Sequence, residues 1–293
     1  MDRLLVTGAT GFIGRAVVRA FLDAGHVVGA VVRPNSDTTQ LDDRASHLVT
    51  DGSTESLAQV VHDFRPDAAI HAATYFRAQH VPADLVPMIE ANLLFGCQLF
   101  DALMRVGCTR VVNFGTTWQH FDSAQYRPVS LYAATKQAFE DLAVFYSDAC
   151  GFRTVTLRLT DTYGPGDTRA KLLPFLMKIA ASGDPLPMSP GAQLVNFIHV
   201  YDVIEAVKIA LRHTATSASG AEVFTVAGDE QLALRDFVER VGKAVGQPLN
   251  IQWGARPYRD REVMNPWLGP RLPDWAPQIS LDQGLRDVAG GHV

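Results

Sequence analysis

Apolar residues recur along this chain in two alternating periods. Arg3–Thr7 is a short apolar run entering a glycine-rich turn, and Phe12–Ala24 then carries the i, i+3, i+4 spacing of an amphipathic helix that stops at Gly25. Val27–Val32 is a β-branched run of the kind buried on both faces. The alternation continues with a helix over Ser53–Asp63, where Ser53 can cap the first turn, and a strand over Ala68–His71. A long helix over Glu90–Val106 ends at Gly107, and a strand follows over Arg110–Phe114. Leu131–Cys150 reads as a helix and Thr154–Leu159 as a strand. Repeated βα units predict an α/β fold with a doubly wound parallel sheet and right-handed crossovers.

The rhythm breaks after Tyr163-Gly164-Pro165-Gly166-Asp167. The next stretch reads as irregular, with Pro174, Pro185, Pro187 and Pro190. It returns to a strand over Asn196–Val200, a helix over Val203–Arg212 and a strand over Glu222–Val226. From Asp229 onward the pattern gives one amphipathic helix and a tail rich in Pro, Trp and Arg. Two parts are expected: a dinucleotide-binding Rossmann domain over 1–165 plus 194–228, and a smaller C-terminal substrate lobe over 166–193 plus 229–293. Such sheets bind ligands beyond the carboxyl ends of their strands, which places the cleft between the two parts.

Composition removes several function classes. The chain has 293 residues, is 47% hydrophobic and 19% charged, and so can bury a sizeable core. Its net charge of −5 argues against nucleic acid as a partner. Cys97, Cys108 and Cys150 are far apart and lack metal-ligand spacing, so they read as reduced thiols, with no metal site, in a cytoplasmic protein. The apolar run before Gly8 is too short for a signal peptide, and no run is long enough to span a membrane.

Chemistry enters through two motifs. In Thr7-Gly8-Ala9-Thr10-Gly11-Phe12-Ile13-Gly14, Gly8 permits a tight turn, Gly11 lets backbone approach a pyrophosphate, and Gly14 lets helix and strand pack closely. Phosphates would sit at the helix N-terminus, where free N–H groups favour negative charge. In Tyr132-Ala133-Ala134-Thr135-Lys136, the Tyr and Lys share a helix face. An ammonium beside a phenol favours the phenolate and makes the Tyr a usable acid or base near neutral pH. The second strand ends in Val32-Arg33-Pro34, without the carboxylate that usually binds the adenosine ribose of NAD. Arg33, assisted by Arg15, could instead clamp a 2′-phosphate, which favours NADPH over NAD; two solvated surface arginines are the alternative.

Together these motifs resemble the extended, sugar-nucleotide-modifying branch of the short-chain dehydrogenase/reductase superfamily. The resemblance implies that Asp51-Gly52 flanks the adenine and that His71-Ala72-Ala73 lines the pyrophosphate side, although a lone histidine such as His71 can equally be structural. In Gly115-Thr116-Thr117-Trp118, Thr117 takes the place of the catalytic hydroxyl with Thr116 beside it. Asn92 matches an asparagine that completes a proton relay, against the plainer reading of a helix-surface residue. The helices over Glu90–Val106 and Leu131–Cys150 correspond to the usual homodimer face.

The resemblance also narrows the reaction. Dehydratases of the family follow the catalytic Thr with Asp-Glu; here Trp118-Gln119 follow, so plain hydride chemistry remains. Arg158-Leu159-Thr160-Asp161-Thr162-Tyr163-Gly164-Pro165-Gly166 resembles a family segment with Asp161 where Asn is usual. Lys171-Leu172-Leu173-Pro174 resembles the stretch that approaches the nucleotide. Asn196-Phe197-Ile198-His199-Val200 resembles another shared segment, but Val195 stands where an Arg commonly binds the diphosphate, and Arg259 in the Pro257–Met264 segment could compensate. Tyr75, Phe76, Arg77 and His80 are expected to face the sugar with Trp118. The tail resembles that of deoxysugar-nucleotide 4-ketoreductases, so the expected substrate is a CDP- or dTDP-linked 4-keto-deoxyhexose. An NAD-dependent 4-epimerase, an NADPH reductase of a non-sugar carbonyl and a non-catalytic cofactor-binding regulator stand as alternatives.

Overall fold

The structure is a computed structural model that describes residues 1–122, 124–216 and 220–290; residues 123, 217–219 and 291–293 of the ranges given above lie outside it. Strands β1 (Arg3–Thr7), β2 (Val27–Val32), β3 (Ser46–Val49), β4 (Ala68–His71), β5 (Arg110–Thr116) and β6 (Arg153–Leu159) alternate with helices α1 (Phe12–Asp23), α2 (Thr54–Phe64), α3 (Leu85–Ile89), α4 (Phe95–Arg105) and α5 (Leu131–Cys150). The second half holds β7 (Asp161–Tyr163), α6 (Leu172–Ser182), β8 (Leu186–Met188), β9 (Leu194–Val195), β10 (Phe197–His199), α7 (Val200–Thr216), β11 (Gly220–Val226), β12 (Leu232–Ala233), α8 (Leu234–Val245), β13 (Ile251–Trp253) and α9 (Leu281–Gly290).

The main sheet is seven-stranded in the order β11-β6-β5-β4-β1-β2-β3, and every pairing in it is parallel. This is the expected doubly wound Rossmann architecture. The order moves outward from β1 in both directions, so the crevice opens where β1 and β4 diverge. Two cores sandwich the sheet: Leu4, Val6, Val17, Val112, Val207 and Trp275 on one side, and Leu5, Leu57, Phe100, Leu103, Val111 and Phe139 on the other. A third core, including Leu176, Leu186, Phe237, Val241 and Leu285, joins α6, α8 and α9.

Local rules explain the element ends. The Ser53 hydroxyl accepts from Ser56 N–H at 3.2 Å and Ser130 from Ala133 N–H at 3.3 Å, each satisfying a free donor of a first turn. Gly151 stops α5 at φ 71°, a conformation open to glycine.

Three sequence expectations need correction. The helix read as Glu90–Val106 is already helical from Pro82 and carries a π-turn over Glu90–Leu94. The stretch read as irregular contains α6, because Pro174 sits in its first turn, where a missing N–H costs nothing. A second helix, α9, lies in the tail; Leu281, Leu285 and Val288 repeat at helical spacing there, and Ser280 caps Gln283 N–H at 3.3 Å. Strands β3, β8, β9, β12 and β13 are two to four residues long, too short for a periodic pattern.

Candidate active site

A cavity of about 2350 Å³ opens beyond the carboxyl ends of β1, β2, β4, β5 and β6. A drug-sized ligand needs about 300–1,000 Å³, so this cavity has room for a dinucleotide and a second large ligand together.

At one end its wall is backbone. Gly8 sits at φ 64°, and a Cβ there would lie 2.6 Å from the Ala72 and Ala73 backbone. A Cβ on Gly14 would lie 2.1 Å from the Gly8 carbonyl. Both positions therefore admit only glycine. Gly11 N–H donates to the Gly8 carbonyl at 3.0 Å and starts α1 without any side-chain cap, which leaves the first N–H groups of that helix free. Thr10, Phe12, Ile13, Arg33, Asp51, Gly52, Ala72 and Ala73 line the same end. This turn fits a dinucleotide pyrophosphate on its own geometry.

Two residues expected at this end are elsewhere. Arg15 turns away from the cavity and hydrogen-bonds Gln40. His71 is fully buried under the floor, packed on Phe95 and Phe139. The Thr7 hydroxyl bridges His71 Nδ1 at 2.8 Å and Ala73 N–H at 3.3 Å, so the imidazole supports the Ala72–Ala73 wall from behind. Burial, aided by the Lys136 charge, pulls His71 down to about 3 and keeps it neutral.

The middle of the cavity brings Thr117, Tyr132 and Lys136 together. Thr117 opens a short turn at the end of β5 and donates to the Leu159 carbonyl at 3.4 Å. Tyr132 and Lys136 lie one turn apart on α5, whose N-terminus is fixed by Ser130. Burial raises the Tyr132 hydroxyl to about 12, opposed by a hydrogen bond from Thr74 and the charge of Arg169. Burial lowers Lys136 to about 8, opposed by Glu140. Burial therefore favours the protonated phenol, the form that can donate a proton.

Asn92 does not line the cavity and is not on the helix surface. Its side chain is buried within the π-turn; it accepts from Tyr75 N–H at 2.7 Å and donates to the Thr135 hydroxyl at 2.9 Å. Thr135 in turn donates to the Tyr132 carbonyl at 2.8 Å. Asn92 thus ties the loop after β4 to the turn that carries Tyr132.

The far end is built of aromatic and charged side chains. Phe76 meets Tyr132 edge-on at 4.9 Å, and Trp118 lies 6.0 Å from Phe76. Lys171 Nζ stands 3.9 Å over the Phe76 ring and 3.7 Å from Asp161. The Arg259 guanidinium lies 5.9 Å over Trp118 and pairs with Glu262 at 3.0 Å. Tyr75, Arg77 and His80 line this end, but the Tyr75 hydroxyl donates to buried Asp84 at 2.6 Å and Arg77 pairs with the same carboxylate at 3.2 Å. Thr116 accepts from Trp118 N–H at 3.2 Å, which sets the Trp118 turn.

The sequence reading missed Thr74, Asp84 and Arg169. Arg169 is held by Asp167 at 2.7 Å and the Thr162 carbonyl at 2.6 Å, and its guanidinium lies 4.4 Å over Phe12. It joins the glycine turn to the loop after β7. Asp167 and Thr162 hold it locally, but no local pattern marks its contact with Phe12, which is far away in sequence. Among the described residues no group of side chains suits a metal ion, and no helix is long and apolar enough to cross a membrane.

The model of the NAD dependent epimerase/dehydratase family matches residues 4–227. The chain is 25% identical over 299 residues to the CDP-abequose synthase of Salmonella typhimurium, covering 98% of this chain and 97% of that protein. It is 24% identical over 328 residues to the probable UDP-glucuronate 4-epimerase of Rhizobium meliloti, covering 97% and 94%. Among solved structures, the UDP-glucose 4-epimerase of Thermus thermophilus, in complex with NAD, matches with a TM-score of 0.85 at 24% identity over 99% of this chain and 98% of that one.

Proposed function

Because the chain belongs to the NAD dependent epimerase/dehydratase family, and is an NAD(P)-dependent enzyme of the extended short-chain dehydrogenase/reductase type, we propose that it reduces a 4-keto-deoxyhexose carried on CDP or dTDP, with NADPH as reductant. The observation that carries this reading is the make-up of the cavity beside Tyr132. Thr117 and Lys136 are in place, whereas the two positions after Thr117 are Trp118 and Gln119. Gln119 is buried, donating to Gln137 at 2.9 Å and accepting from Thr116 N–H at 3.0 Å, so it has no acid to offer. On the substrate side, Asp161 and Glu262 are already ion-paired with Lys171 and Arg259. Elimination of water needs a free acid and base beside the sugar, and this arrangement supports carbonyl reduction instead.

When bound, the nicotinamide supplies the hydride. The Gly8–Gly14 turn would hold the pyrophosphate, Asp51 and Gly52 the adenine end, and Lys136 the nicotinamide ribose. Tyr132 would donate its phenolic proton to the substrate oxygen, with Thr117 aligning that oxygen. Phe76 and Trp118 would pack on the sugar, and Lys171 and Arg259 would meet the diphosphate that Val195 cannot. The two-part division at 165/166, 193/194 and 228/229 belongs to this proposal, as does a homodimer through the outer faces of α4 and α5, where Met104, Val144 and Phe145 stand exposed.

The choice of NADPH rests on Arg33, which lines the cavity beside Ser36 at the end of β2. The NAD held by the Thermus structure argues the other way, for that protein. Truncating Arg33 to Ala is expected to weaken NADPH by about 10- to 150-fold, the worth of a charge-assisted contact, and NADH little. Equal loss for both would remove the 2′-phosphate role. Titration with CDP and dTDP, followed by turnover of 4-keto-6-deoxyhexose nucleotides with NADPH, tests the substrate. Failure to bind either nucleotide would favour a non-sugar carbonyl.

A further inference from the structure

One turn beyond Lys136 on α5 lies a buried charged cluster that the proposed reaction does not use. Glu140 follows Lys136 by one helical turn, so the two share a face of α5. Both are almost completely buried. A lysine and a glutamate so placed in a poorly screened interior would ordinarily form an ion pair. Here they do not. Arg158 on β6 takes both carboxylate oxygens, with Nε donating to Oε1 at 3.1 Å and Nη2 to Oε2 at 2.5 Å.

Arg158 is itself held on every side. Its Nη2 also donates to the Gln137 side-chain carbonyl at 3.1 Å, and its Nη1 lies 2.6 Å from His120 Nε2. His120 Nδ1 faces the Gln125 carbonyl at 3.1 Å and must donate to it, which leaves Nε2 as the acceptor for Arg158. Trp267 packs on the His120 ring with centroids 3.7 Å apart. Space for the pair comes from Gly115, where a Cβ would lie 2.8 Å from both Arg158 and Glu140.

We propose that Arg158 is a positioning residue for Lys136: by occupying both oxygens of Glu140 it keeps that carboxylate from capturing the lysine ammonium, which stays aimed into the cavity beside Tyr132. The inference rests on the reading of Lys136 as catalytic. The charged and titratable groups acting on the lysine are Glu140 on its own helix and neutral His71 from β4; Glu140 is held by Arg158 from β6 and, through it, meets His120, whose Nε2 accepts from Arg158. Removing the arginine frees one buried carboxylate, and Lys136 is the nearest cation left to pair with it. Removing the charge of Glu140 as well eliminates the competitor.

Three variants test this: Arg158→Met, Glu140→Gln and the double variant. Arg158→Met is expected to lower kcat by about 10²-fold, the cost of a catalytic group displaced by about an ångström. The double variant is expected to recover at least tenfold of that loss, about the inverse of a partial displacement. A crystal structure of Arg158→Met should show the Lys136 ammonium paired with Glu140. The fall in rate at high pH, set by Lys136 near 8, should move up in Arg158→Met and down in Glu140→Gln, since the freed carboxylate favours the ammonium and the amide does not. A double variant as slow as Arg158→Met, with Lys136 unmoved in the crystal, overturns the proposal. If Arg158→Met does not fold, Glu140→Gln decides: an unshifted high-pH limb also overturns it. Lys136→Met with undiminished turnover would instead sink the catalytic reading beneath it.

Discussion

At the cofactor end of the cavity the wall is mostly backbone, whereas at the substrate end it is mostly side chains. Gly8, Gly11 and Gly14 act by having no side chain, and their neighbours are peptide groups of the same turn and of Ala72–Ala73. Phe76, Trp118, Lys171 and Arg259 act through ring faces and charges, and they come from loops distant in sequence. A backbone wall tolerates little change, because a single Cβ collides with a carbonyl that cannot move. A side-chain wall can exchange one partner for another. Val195, standing where the family resemblance expects an arginine, lies at the second kind of wall. Under the proposed function, specificity divides accordingly: the first end would select the dinucleotide, and the second would distinguish one sugar nucleotide from another.

Tyr132, between the two ends, should show the largest effect. Tyr132→Phe keeps the ring against Phe76 and removes only the proton donor, so turnover is expected to fall by about 10²–10⁴-fold with cofactor affinity intact. Single-turnover kinetics alongside cofactor titration measures both, and near-normal turnover would take the acid role from Tyr132. The backbone end comes next. Gly14→Ala forces a methyl into the Gly8 carbonyl and is expected to cost about 1–3 kcal/mol of stability, together with cofactor binding. An unchanged melting temperature and affinity would show that this wall gives more than its geometry allows. The smallest effect is expected at the side-chain end. Lys171→Met should raise the KM for the sugar nucleotide by about 2- to 5-fold, the worth of a partly exposed ion pair for a lysine whose charge is already shared with Asp161, and leave NADPH affinity alone. A loss confined to NADPH would reverse the assignment of the two ends.

The same contrast governs what the sequence revealed. The strand, glycine turn and helix of the first unit are contiguous, and their chemistry is local, so residues 3–23 could be read directly. Tyr132 and Lys136 were legible because helical spacing alone puts them together. Arg169 was not, since Phe12 is brought to it by tertiary folding, and Asp84 was not, since the irregular loop that folds Tyr75 and Arg77 back onto it has no periodic pattern. Arg15 and His71 show the converse: each has the right residue type near the right motif, yet Gln40 holds one aside and the core encloses the other. Helix α6 was hidden by Pro174, a residue that breaks a helix interior but not a first turn.

Under the proposed function this site reduces a carbonyl and releases its oxidised cofactor, instead of returning the hydride to the same carbon. The most direct measurement follows deuterium from 4-deuterated NADPH during turnover of a 4-keto-6-deoxyhexose nucleotide, with absorbance of the reduced nicotinamide recorded in parallel. One NADPH consumed per product and one deuterium at the reduced carbon are expected. Interconversion of two 4-hydroxy sugar nucleotides by tightly held NAD, with no net NADPH loss and no deuterium in the product, would contradict the proposed function.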